Sequence, residues 1–154
     1  MCMGFCTDGF TPGGRSGHES VLIGNKLYIM GGLIQYYKIQ HLTSTSPMLY
    51  GISKGAALAG GITKSHIFLI GEARQDIKIP HWNMTDQFVY VYYENSQIWE
   101  IVKGAQPTRR SSTSVAIDQF GVAYIFGGKM ETDMASDADI LYNELYSFDT
   151  ETLL

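Results

Sequence analysis

The residues of this chain best suited to recognise something are cations that recur at one place in a repeated sequence. Arg15 and Arg110 sit in matching Pro-x-x-Arg-Ser segments, residues 12–16 and 107–111, and Lys54 falls on Arg110 when the chain is slid along itself by 56 positions. Three cations brought to one rim would attract an acidic peptide or a carboxylate, the arginines through bidentate contacts. The competing reading is a solvated loop cation, or one bonded to carbonyl groups of a neighbouring repeat.

Other groupings carry less. Glu131, Asp133, Asp137 and Asp139 are four carboxylates able to hold calcium through oxygen. Their spacing matches no known calcium loop and no turn glycine lies among them, so a solvated loop is the better reading. His18, His41, His66 and His81 are scattered, without an i, i+4 pair or a metal-ligand spacing, and read as core or edge histidines. Cys2 and Cys6 have no nearby histidine or third cysteine to complete a zinc site. Ser111, Ser112 and Ser114 stand in no Gly-x-Ser-x-Gly elbow, and Gly13–Gly17 lacks the Gly-Lys-Ser/Thr end of a phosphate loop. Trp82, after His81, either recognises a partner or tucks its loop onto the strands. Asn83-Met84-Thr85 is a glycosylation sequon in an expected surface loop.

Composition narrows the classes. The chain has 154 residues, 45% hydrophobic and 17% charged, which suits one globular domain. Eleven Lys plus Arg against fifteen Asp plus Glu give a net charge of −4, so nothing favours nucleic-acid binding. Two cysteines exclude a disulfide framework. No apolar run approaches the ~20 residues of a membrane-spanning helix. The start, MCMGFCTDGF, has neither a basic segment nor a long apolar one and does not read as a signal peptide. That favours the cytoplasm, with an extracellular location open to a longer parent chain.

Seventeen glycines and seventeen Tyr plus Phe suggest many strands joined by tight turns. The repeat supports this. At the 56-residue shift, Phe68-Leu69-Ile70-Gly71 falls on Tyr124-Ile125-Phe126-Gly127, and Tyr92 on Phe148. Upstream, Tyr28-Ile29-Met30-Gly31-Gly32 repeats Tyr124-Ile125-Phe126-Gly127-Gly128. After an N-terminal segment of residues 1–11, three units follow at 12–54, 55–106 and 107–154. Strands are expected at 112–117, 122–126 and 141–148, and in the second unit at 88–93 and 97–102, being β-rich runs bounded by Gly, Asp and Asn. No stretch combines helical periodicity with start and stop signals. Four strands per repeated unit of about 50 residues describe β-propeller blades, so the expected fold is all-β: an incomplete propeller of four-stranded antiparallel blades.

These residues resemble the kelch repeat. Its marks are a glycine doublet ending the second strand, an aromatic in the third and a tryptophan opening the fourth. The first unit carries Gly31-Gly32, with Leu42 and Leu49 where the aromatic and tryptophan should stand. The second carries Gly71, followed by Glu72, then Tyr92 and Trp99. The third carries Gly127-Gly128 and Phe148, and its fourth strand is missing, leaving about 2.75 blades. The glycines are expected to turn the backbone where neighbouring blades crowd. Trp99 is expected to bury its ring with its indole N–H on a carbonyl.

The resemblance implies a non-catalytic protein-binding scaffold acting through blade loops, with no cofactor. In some kelch domains an arginine of the matching Pro-x-x-Arg segment binds acidic peptides. The rival is a fragment of a galactose oxidase-like copper enzyme, which needs two tyrosines, two histidines and a cysteine that do not group here. A third reading is a non-functional remnant of a longer kelch gene. Fewer than three blades leave sheet faces and edges open, so further blades or self-association are expected to cover them.

Overall fold

In the computed structural model, which describes residues 14–34, 50–71, 73–76, 88–104, 106–108, 110–130 and 140–154, every regular element is a β-strand and every pairing is antiparallel. No helix occurs among the described residues. The fold is all-β.

The first hairpin pairs β1 (Arg15–Ile23) with β2 (Lys26–Ile34). Gly24 and Asn25 close it, and Gly24 holds φ 58, the positive first position that such two-residue turns require. The second unit is a four-stranded sheet in the order β4 (Ala56–Gly60), β5 (His66–Ile70), β7 (Val89–Tyr93), β8 (Ile98–Ile101). A two-stranded ladder of β3 (Tyr50–Ser53) and β6 (Ala73–Asp76) lies just before β4 and just after β5 in the chain. The third unit orders β13 (Leu145–Asp149), β10 (Val122–Phe126), β9 (Ser114–Ile117). The short pair β11 (Lys129–Met130) and β12 (Ile140–Leu141) accompanies it. The single strand expected over 141–148 is therefore two, separated by residues 142–144, which bond to Gly127 and Gly128 outside the regular ladder.

Successive residues of a strand point to opposite faces, and the three units use this rule identically. On β5, Phe68 and Ile70 join Val89 and Val91 in one core cluster with Ala123, Ile125 and Phe148 of the third unit. Ile67 and Leu69 point the other way and join Tyr90, Tyr92, Val21, Ile23 and Met30 of the first. The two central strands, β5 and β7, are buried on both faces, which is why they read as continuous apolar runs. Each such side chain contributes about 1.5–3 kcal/mol by leaving water.

The first strands stand side by side, β1 against β4 and β4 against β9. The turns repeat an inter-unit contact too. The turn after β4 reaches the third unit through Gly61 N–H, which donates to Thr150 Oγ1 at 3.0 Å. At the corresponding place Lys26 Nζ meets Glu94 Oε1 at 2.6 Å, and Tyr28 Oη donates to the same oxygen at 3.3 Å.

The repeated glycines lie where backbones meet. Gly71, at φ 51, has Arg110 O 2.7 Å from where a Cβ would stand; Gly128, at φ 96, has Ser111 O at 2.9 Å and Thr113 Cγ2 at 2.7 Å. Neither position has room for a side chain.

Candidate functional site

The repeated cations gather where the first strands begin, and the strand register fixes how they correspond. Ser16 pairs with Leu33, Ser53 with Ala73, and Ser111 bridges Lys129, each partner lying two residues beyond Gly31, Gly71 or Gly127. The next residues, Gly17, Lys54 and Ser112, share one positive-φ conformation at 65, 57 and 56°. They are also chained: Lys54 N–H donates to Gly17 O at 3.0 Å, and Ser112 N–H donates to Lys54 O at 2.8 Å.

Lys54 therefore corresponds to Ser112 and Gly17, not to Arg110. The place of Arg15 and Arg110 is taken in the second unit by Ile52. The ungapped 56-residue match slips by two here, because the connection from Ser53 to Gly71 spans two residues more than that from Ser111 to Gly127. The boundary drawn at residue 54 also moves, to before Tyr50, since β3 pairs with β6 in the second unit.

The arginines repeat one contact. Arg15 Nη1 donates to Gly31 O at 3.3 Å and Arg110 Nη1 to Gly127 O at 3.4 Å, so each guanidinium ties the start of its unit to the first glycine of the doublet. Arg110 is only 1% exposed. Its Nε donates to Thr108 O at 2.9 Å, its Nη1 also meets Glu144 Oε2 at 2.8 Å, and its plane lies 3.8 Å above the Tyr142 ring. Nη2 is buried with no hydrogen-bond partner. Arg110 is thus bound to its own unit's carbonyls, while Arg15 is half-buried and Lys54 exposed. Glu19, two residues past Gly17, has its carboxyl pushed up to about 7 by burial.

The kelch-like marks fall as follows. Tyr92 and Phe148 occupy equivalent positions, opposite Ile67 and Ala123. Trp99 pairs with Tyr92 across β7 and β8, ring centroids 5.1 Å apart. Its Nε1 is buried without a hydrogen-bond partner, contrary to the carbonyl contact expected of it. The ring is half-buried and rests on Tyr92. His66 opens β5 with its ring edge-on to Tyr93, centroids 4.7 Å apart. His18 lies exposed on β1. Cys2, Cys6, His41, His81, Trp82, Asn83 and the acidic group from Glu131 to Asp139 lie outside the described residues. Among those described, no group of three or more His, Cys, Asp or Glu is placed to hold a metal, and no helix is long and apolar enough to cross a membrane.

Two organising residues carry no sequence mark. Gln106 Oε1 accepts from Phe88 N–H at 2.7 Å and Val89 N–H at 3.0 Å, and its Nε2 donates to Val102 O. It fastens the connection between the second and third units beside an apolar cavity of about 220 Å³, lined among others by Val102, Ile125 and Tyr146. Thr150 Oγ1 donates to Gly121 O at 2.7 Å while accepting from Gly61. A threonine or glutamine in a turn reads as solvated until its partners are known. Compared with known proteins, the chain matches no family model and no curated sequence.

Proposed function

We propose that the stacked units are blades of an incomplete kelch-type β-propeller, and that the protein is a non-catalytic scaffold binding an acidic peptide segment of a partner protein. The observation that carries this is the chain of equivalent residues Gly17, Lys54 and Ser112 across three adjoining first strands, with exposed Lys54 at its centre and Arg15 beside it. First strands side by side, each followed by a sheet that presents one face forward and one back, are what blades around an axis require. A rigid frame with cations at strand entries favours a flexible anionic ligand through electrostatic complementarity. Arg110 takes no direct part in this reading, because it is buried, whereas Arg15 is half-buried and Lys54 exposed.

Fluorescence anisotropy with a labelled oligoglutamate peptide tests it. Saturable, salt-sensitive binding is expected, weakened about tenfold by Lys54→Glu. Absence of binding, or an affinity indifferent to Lys54→Glu and Arg15→Glu, refutes it.

A further inference from the structure

The two internal interfaces of the stack are built alike, and each has an uncovered half at an end of the chain. Phe68, Ile70 and Val89, which face forward from the middle sheet, are 0, 0 and 3% exposed under the third unit. Their equivalents in the third unit, by strand register, are Tyr124, Phe126 and Leu145, and these are 40, 53 and 64% exposed. At the other end, Ile67 and Ala59 face backward from the middle sheet toward the first unit. Their equivalents, Leu27 and Leu22, lie directly opposite each other on the hairpin and are 58 and 62% exposed. An open apolar face of this kind marks an interaction site.

We propose that copies of this chain associate head to tail, the Tyr124–Phe126–Leu145 face of one docking on the Leu22–Leu27 face of the next. The occupant follows from the internal interfaces. In both, a forward face receives a backward face of the neighbouring sheet: Phe68 takes the ring of Phe148 at 5.5 Å, and Ile70 clusters with Ile125. Among the described residues, the sheet that leaves a backward face open is the first. A second copy thus supplies a backward face with Leu27 and Leu22 at the places of Ala123 and Ile117, continuing an interface the chain makes twice. A forward face does not match another forward face, so the association is heterologous: it closes into a ring where the rotation permits and otherwise propagates. This rests on the stacked-blade reading above and specifies the partner of its end faces.

Light scattering on size-exclusion fractions of the 154-residue chain, over a range of concentrations, tests it. The expected mass is at least twice 17.1 kDa, with a melting temperature that rises with concentration. Phe126→Asp and Leu27→Asp should each raise the dissociation constant about 30-fold or more, as loss of a central apolar anchor does. Mixed in equal amounts, the two variants should form a pair, since one keeps the forward face and the other the backward face. A Leu27→Asp variant that still self-associates would mean forward faces meet each other, and overturns the proposal. So does a wild-type monomer at every concentration. In that case a cooperative melt with β-type circular dichroism would leave the stacked-sheet reading standing, whereas a chain without either would remove both.

Discussion

Arg110→Ala separates a cation that holds the fold from one that holds a ligand. The substitution leaves Thr108 O and Gly127 O without their donor. An unmade buried hydrogen bond costs about 1–3 kcal/mol, and the Tyr142 ring under the guanidinium adds about 1–2 kcal/mol. Glu144 is half exposed, so its freed carboxylate returns to water at little cost. Opposing these losses, the variant is relieved of a desolvated guanidinium whose Nη2 has no partner. The net is a loss of about 3 kcal/mol, or roughly 6–12 °C in melting temperature for a chain of this size. Differential scanning calorimetry at fixed concentration, on Arg110→Ala and on Arg110→Met, reads it. Arg110→Met keeps the buried stem and should lose less. An Arg110→Met protein as stable as its parent would show that desolvation outweighs the carbonyl bonds, and the structural role assigned to Arg110 would fall.

Three other outcomes are expected. Gly128→Ala puts a Cβ within 3 Å of Ser111 O and Thr113 Cγ2 at a backbone φ of 96° and should cost more than the ~1–2 kcal/mol of the φ term alone, read by urea unfolding; a cost under ~1 kcal/mol contradicts the close approach. Gln106→Leu strips the acceptor from two adjacent N–H groups, that of Phe88 included, and should lose about 2–4 kcal/mol; hydrogen exchange should quicken at Phe88 and Val89 before other amides, and unchanged protection there argues against the clasp. Glu19 has a folded carboxyl raised from 4.5 to about 7, so the unfolded chain ionises first and stability falls as pH rises from about 4.5 to 7, then levels off. With the group half open to water the fall should be about 1–2 kcal/mol, and it should vanish in Glu19→Gln; an equal fall in the variant assigns it elsewhere.

Much of the frame was legible in the sequence, for a physical reason. Val122–Phe126 and Phe88–Tyr93 are β-rich runs bounded by turn residues, and both form strands within a residue of the expected limits. Tyr92 and Phe148 matched because no insertion separates the second strand from the third between those units. An ungapped comparison sets Lys54 on Arg110 because two extra residues in a turn are invisible to it, while strand pairing counts them. The inward turn of Arg110 is hidden because charge reads as surface. A hint existed nonetheless, since Arg15 and Arg110 precede their glycine doublets by 16 and 17 residues, and those are the glycines whose carbonyls they hold. The expectation for the Trp99 indole rests on a chemical average: such N–H groups usually find acceptors, and β7 offers it Tyr92 instead.

The strict forward and backward division of each strand makes the middle unit modular. A gene segment encoding one such unit, copied in tandem between the second and third, would keep every junction forward face to backward face, and the one new contact, between the two copies, would set Phe68 and Ile70 of one against Ile67 and Leu69 of the next. Deleting a single residue inside β5 would do the reverse: every side chain downstream in that strand would exchange neighbours, and Phe68 would be traded for Ile67 across two interfaces at once.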